Sequence, residues 1–406
     1  MIDVREFDVV VMGGGPAGSV TAALLAQAGA SVVVIERERF PRLRVGEGVA
    51  PASLAVLEGL DLRAPLSERY TSRGGTRLSC ARTGRTQRFA YDDAFADLGP
   101  GWIAPRAHLD DALLRRAAEL GATVVTPASV EDVLFERERA AGVRVAHPDG
   151  AREGFVARVI VDATGQESLL ARRLDARAPI HALDRTAMSA WWQHAARREG
   201  DEAGDLEAVV TPHGWIWHAP LPGVVSSVGA LCSAAWTRTR QRGESTDDFY
   251  ARTLDDAAPV KAMVRRATKL TPARAASGFA FTAPRRAGEG WLLVGDAAGF
   301  VDPLFDSGMQ LAIGGAAEAA RAVLDGLASR EGATKRFARY AARVRRASEL
   351  YAGLAQAFYA GTLPDAMFEA RTRAARQPWA SILAGDVFGE DPPWRASLRA
   401  RFPLRA

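Results

Sequence analysis

Runs of apolar residues, and the breaks between them, divide this chain into strands and helices. Val9, Val10, Val11 and Met12 form a short apolar run of the kind required by a parallel strand buried on both faces. Val32 to Ile35 repeat it. VARVIVDATG (Val156–Gly165) and WLLVGDAAG (Trp291–Gly299) each read as a buried strand that ends in a glycine turn. A helical period stands out at His108–Ala122, where Leu109, Leu113, Leu114 and Ala117 share one face. VVTPASVEDVLFE and AAGVRVAHPDG predict strands joined by turns, with Asp149-Gly150 at one of them. Residues 61–105 show no clear helical period. Residues 182–283 are mostly β in pattern, with Trp, Val and Ser alternating. The 330–406 stretch is largely helical and rich in Arg and Ala.

The first strand leads into Gly13, Gly15 and Gly18. This spacing has a mechanical reading. Gly13 permits a tight turn, Gly15 lets backbone approach a pyrophosphate, and Gly18 lets helix and strand pack closely. The helix that opens near Pro16 would point its first amides at the phosphates. Glu36, at the end of the next strand, is placed to accept hydrogen bonds from ribose hydroxyls. Strand, turn, helix, strand and acid together predict a dinucleotide site.

The chain has 406 residues, 48% of them hydrophobic and 25% charged, which is the balance of a globular protein too long for one simple domain. MIDVREFD at the start has no apolar core of signal-peptide length, and no run approaches the roughly 18 apolar residues of a membrane span. The expected compartment is the cytoplasm. Cys80 and Cys232 belong to no CxxC pair, and the six histidines show no metal spacing, so neither a disulfide framework nor a metal site is expected. The net charge of +4 is small and its basic residues are interspersed with acids, which argues against nucleic acid as a partner. One detail of the charge matters later. Lysine occurs only at Lys261, Lys269 and Lys335.

Further motifs carry a resemblance. Asp162-Ala163-Thr164-Gly165 is followed by VGDAAGFVDPLFDSGMQ from Val294. RVGEGVAP (Arg44–Pro51), the PRxxLDxxLLRRA helix (Arg106–Ala117), GWIWHAPL (Gly214–Leu221) and LAGDVF (Leu383–Phe388) complete the set. Together these resemble the flavoprotein monooxygenase fold, and within it most closely the flavin-dependent halogenases and geranylgeranyl-reductase-like flavoproteins. The resemblance covers nearly the whole chain. It implies an α/β architecture: a Rossmann-like, three-layer FAD-binding domain of glutathione-reductase type, with an inserted β-rich substrate region and a helical C-terminal part. The expected segments are 1–181 and 284–329 for the FAD-binding domain, 182–283 for the substrate region and 330–406 for the helical part.

The cofactor implied is FAD, bound without a covalent link. Its expected ligands are Gly13, Gly15, Ala17, Gly18, Glu36, Arg44, Glu47, Arg106, Gly295, Asp296, Pro303, Gly308 and Met309. Asp296, at a strand end, would accept hydrogen bonds from the ribityl chain. The amides of Gly308 and Met309 would face the electron-rich N1–C2=O edge of the flavin ring. No second dinucleotide fingerprint appears, so a separate flavin reductase is the expected electron source, with transient NAD(P)H contact or the substrate itself as the alternatives.

The chain departs from the halogenases at two positions. In TSRGGTRLS (Thr71–Ser79), Arg73 stands where the resemblance implies the lysine that takes up hypohalous acid. A guanidinium stays protonated and is a poor nucleophile. Asp306 stands where the family usually has a serine beside the halide amides. A carboxylate there would repel halide by about 1–4 kcal/mol at a few Å. Trp215 and Trp217 match the family's tryptophan pair, with Ala219 where isoleucine is usual. The expected activity is therefore hydroxylation of an aromatic or electron-rich substrate, a small molecule or one bound to a carrier or protein, through a flavin C4a-hydroperoxide. Halogenation, and FAD-dependent reduction or dehydrogenation of an isoprenoid or carrier-bound substrate, are the alternatives. Asp306, as base or substrate anchor, and His218 are the candidate catalytic residues.

Overall fold

The computed structural model describes residues 3–94, 97–329, 333–389 and 391–404. The apolar runs at Val9–Met12 and Val32–Ile35 do form buried parallel strands. Asp3–Met12 lies between Arg152–Asp162 and Val32–Ile35, with Val9 beside both Val159 and Val32. Trp291–Leu293 and Thr123–Val125 extend this parallel sheet on its two sides. A hairpin, Ser129–Glu136 with Arg139–Ala146, joins it antiparallel to Arg152–Asp162.

Helices Pro16–Gln27, Arg106–Glu119 and Ser307–Ala328 pack together with this sheet around one apolar core. Close approach here depends on glycine. A Cβ at Gly18 would overlap the carbonyl oxygen of Gly13. Residues just past the C-terminal ends of the parallel strands, among them Gly13, Glu36, Ala128, Ala163 and Val294, line one crevice.

A second sheet runs in the order 268–269, 185–193, 225–233, 214–220, 206–211, 75–80 and 86–90, with Arg274–Ser277 also paired to 185–193. Residues 61–105 hold a short helix, Arg63–Ser67, and otherwise contribute mainly strands. Gly75–Cys80 and Thr86–Ala90 enter this sheet, and Gly75–Cys80 runs parallel to Leu206–Thr211. Three short strands, Gly48–Val49, Gly101–Ile103 and Thr71–Arg73, make a small sheet with Gly101–Ile103 at its centre.

Strand alternation sorts the second sheet's faces. Trp215, Trp217 and Leu231 join a cluster with the C-terminal helices Ala333–Tyr359, Thr362–Glu369 and Arg373–Leu383. Ile216, Val228 and Ala230 join another with Thr246–Leu254 and Ala258–Val264. Among the described residues no helix is long and apolar enough to cross a membrane.

Candidate functional site

The C-terminal ends of the parallel strands and one face of the second sheet enclose a cleft of about 780 Å³. Gly13, Gly15, Ala17, Glu36, Arg44, Glu47, Arg106, Asp296, Pro303, Asp306, Gly308 and Met309 all line it. Gly18 and Gly295 do not. Both serve packing instead, since a Cβ at Gly295 would come within 2.7 Å of the Ala17 Cβ.

The glycine turn opens onto the cleft. A Cβ at Gly15 would meet a single atom within 4 Å, Nη2 of Arg42 at 3.0 Å. Gly15 is also the N-cap of Pro16–Gln27, and no side chain caps that helix start. Glu36 accepts hydrogen bonds from the Gly14 and Glu38 amides, both at 2.7 Å. It therefore tightens the turn as well as bordering the cleft.

Arg42 is the residue that sequence reasoning missed. Arg44, chosen from the same loop, pairs with Glu38 and leaves 41% of its side chain exposed. Arg42 instead lies against the glycine turn, with Nη1 3.5 Å from Glu36 Oε1 and Nη2 3.6 Å from Asp110 Oδ2. Its Nε is buried without a hydrogen-bond partner, and burial lowers its pKa. An incompletely paired cation beside an uncapped helix start fits an anionic group such as a pyrophosphate. The PRLR tetrapeptide was the only signal, and it did not say which arginine turns inward.

Arg106 grips Asp110 with two bonds, Nε to Oδ1 at 2.8 Å and Nη2 to Oδ2 at 3.1 Å. Its Nη1 donates to the Val45 carbonyl at 3.2 Å, which ties the 42–47 loop to the helix. Burial opposes the Arg106 charge, but Asp110 more than offsets this and its pKa is raised. Glu47 accepts from Trp191 Nε1 at 3.3 Å and from the Gly46 amide at 3.0 Å, and burial raises its pKa. Burial also pushes the Asp296 carboxyl up to about 6, against the pull of Arg106 and a bond from Gln166.

The two departures from the halogenase pattern meet in space. Arg73 is wholly buried, and its Nη1 donates to Asp306 Oδ2. Nη2 donates to Thr76 Oγ1 at 2.6 Å and Nε to the Gly75 carbonyl at 3.1 Å. Burial works against the Arg73 charge, but Asp306 outweighs it and the pKa is raised. The expected repulsion of halide by Asp306 is thus corrected. The carboxylate does not stand alone, and the adjacent guanidinium cancels most of its field at a distance.

The other end of the cleft is apolar. Trp215 and Trp217 line it with ring centroids 5.4 Å apart, together with Leu206, Ala219, Phe279 and Phe300. Gly229, on the neighbouring strand, leaves room for the Trp217 ring. Among the described residues no lysine lines the cleft.

His218 does not reach it. Strand alternation turns it to the face opposite Trp215 and Trp217, beside Val228, where its Nε2 is buried without a partner. It cannot touch a molecule in the cleft, and the catalytic expectation for it is withdrawn. Burial, and secondarily Arg197, lower its pKa to about 4 from 6.5. The folded state therefore favours the neutral ring, while the unfolded chain takes up a proton first as pH falls. Stability should decline from about pH 6.5 and level off below about pH 4, by up to about 3 kcal/mol from this group. Urea unfolding across this range should show a flatter profile for His218→Leu than for the wild type. Equal slopes would mean that His218 titrates normally.

The FAD binding domain family matches residues 6–351. A flavin-dependent halogenase of Armillaria mellea is 30% identical over 340 residues, covering 78% of this chain and 67% of that protein. One of Pestalotiopsis fici is also 30% identical, covering 76% of this chain but only 61% of its own length. The 1H-pyrrole-2-carbonyl peptidyl-carrier-protein chlorinase of Pseudomonas fluorescens is 26% identical, over 84% of this chain and 81% of that one. Among solved structures, the myxobacterial chondrochloren halogenase superposes with a TM-score of 0.83 at 28% identity, over 97% of this chain and 93% of that one. A flavin-dependent brominase reaches 0.89 at 23% identity, over 98% of each chain, and shows the shared fold alone.

Proposed function

The chain belongs to the FAD binding domain family, and from that premise we propose that it is an FAD-dependent monooxygenase acting on an aromatic or otherwise electron-rich substrate. The observation that carries this reading is Arg73. Where the resemblance implies a halogenase lysine, the chain has a buried guanidinium occupied by Asp306, Thr76 and Gly75. Among the described residues no lysine amine lines the cleft to accept hypohalous acid, and arginine does not lose its proton to become one.

In this reading Gly15, the first turn of Pro16–Gln27 and Arg42 hold the pyrophosphate, and Glu36 holds the adenosine ribose. Asp296 would accept from the ribityl hydroxyls, and the Gly308 and Met309 amides would serve the ring. Bound there, FAD would supply redox chemistry toward O₂, with its electrons drawn from an outside donor such as a flavin reductase. Segments 1–181 and 284–329 form the cofactor side and 182–283 most of the substrate side. Trp215, Trp217, Phe279 and Phe300 exclude water and stack on an apolar ring. The Asp306 oxygen not taken by Arg73 anchors a substrate hydroxyl or amine.

Halogenation is the second reading, and it is the names of the relatives that favour it. One assay separates the two. Reduced FAD, O₂ and chloride or bromide are supplied with candidate aromatics, and products are weighed. A product heavier by one oxygen atom, formed at a rate independent of halide, is expected. A halogenated product whose rate saturates with halide would overturn the proposal. Turnover without O₂ would move the case to a reductase or dehydrogenase.

A further inference from the structure

Asp306 occupies the N-cap position of Ser307–Ala328, yet its side chain makes no capping bond. Ser168, the N-cap of Leu169–Arg173, is likewise left-handed and uncapped, and its hydroxyl donates to the Ala297 carbonyl instead. Three other polar N-caps behave ordinarily. Ser233, Ser245 and Thr372 each accept a hydrogen bond from an amide in their own helix, from extended backbone with φ of −63°, −67° and −92°. Asp306 has φ 52° and ψ 28°, and Phe305 before it has φ 68° and ψ 15°. Two successive left-handed residues with side chains are costly and persist only where the surroundings hold them.

Arg73 does the holding. Its guanidinium bonds Asp306 from Thr71–Arg73, a strand that Gly101–Ile103 separates from Gly48–Val49, and a Cβ at Gly48 would overlap the Asp306 carboxylate. Ser307 Oγ donates to the Asp302 carbonyl, and Asp302 in turn accepts from the Leu304 amide at 2.9 Å and from Tyr359 at 2.8 Å. The turn is therefore braced from both sides. What it leaves open is the helix start, where Gly308 and Met309 border the cleft.

We propose that Arg73 is a positioning residue. It draws the Asp306 carboxylate off the N-terminus of its own helix, so that those amides stay free for the electron-rich edge of the flavin ring. This rests on the cleft being the flavin site. Released from Arg73, the carboxylate would compete with the flavin for the same amides. As an anion beside the ring it would also disfavour the reduced, more negative form of the cofactor.

The test uses Arg73→Leu, Arg73→Lys and the double variant Arg73→Leu/Asp306→Gly. The FAD dissociation constant and the flavin midpoint potential are measured on each without substrate. Arg73→Leu should bind FAD about tenfold more weakly and show a lower potential. Arg73→Lys should stay near the wild type in both. The double variant, although it lacks both side chains, should recover most of both losses, because the competing carboxylate is gone. A merely structural arginine would leave the double variant no better than the single one, and that result overturns the proposal. So does an unchanged Arg73→Leu. If Arg73→Leu does not fold, Arg73→Gln keeps a donor for Thr76 or Gly75 and carries the same expectation. A wild type that bound no FAD would instead sink the cofactor reading beneath it.

Discussion

Gly15→Val should give a folded protein that no longer holds FAD. The position tolerates a side chain as far as the protein is concerned, because the only atom near its missing Cβ is the flexible end of Arg42. The space beside it belongs to the cleft, next to a helix start that no side chain caps. Valine would fill the space through which a pyrophosphate reaches those amides. The dissociation constant should rise about a hundredfold or more, equivalent to roughly 3 kcal/mol. Titration of the apoprotein with FAD measures this, and circular dichroism checks the fold. Gly18→Val makes the contrast. Its side chain would meet the Gly13 carbonyl, so this variant should lose stability itself. Wild-type affinity in Gly15→Val would remove the cleft as the cofactor site.

Asp306→Gly should cost about 3 kcal/mol of unfolding free energy. Glycine accepts the left-handed backbone at this position without strain, so the loss reports the ion pair. Arg73 has no exposed side-chain surface and remains charged, and removing its carboxylate leaves a buried cation with neutral partners only. Breaking a buried pair from one side costs about 3–5 kcal/mol. The low end applies because Asp306 keeps 15% of its side-chain surface and borders the cleft, from which water or an anion can enter. Denaturant unfolding should show the double variant Arg73→Leu/Asp306→Gly to be more stable than Asp306→Gly alone. If Asp306→Gly unfolds like the wild type, the pair contributes nothing and Arg73 is satisfied without it.

The comparison with halogenases acquires a physical content from this pair. Where the resemblance implies a lysine and a serine, this chain has an arginine and an aspartate that bind each other. Read singly along the chain, the first removed a nucleophile and the second added a repelling charge. In the fold, Arg73 still offers no nucleophilic amine, whereas the charge of Asp306 is compensated by the guanidinium it binds.

The sequence by itself determined the parts whose cause is local. A buried strand, three glycines and a capless helix start follow from backbone sterics over a few residues. The strand period of two was enough to put His218 opposite Trp215 and Trp217. Contacts between distant residues were decided only by the tertiary structure. Arg73 and Asp306 lie 233 positions apart, and no periodicity links them. Arg42 and Arg44 were indistinguishable as residue types, and packing against Asp110 and the glycine turn chose the first. Gly75–Cys80 and Thr86–Ala90 join a sheet built mainly from residues beyond 185. Strand pairing of that kind depends on which edge the folded core leaves open, and short-range patterns carry no record of it.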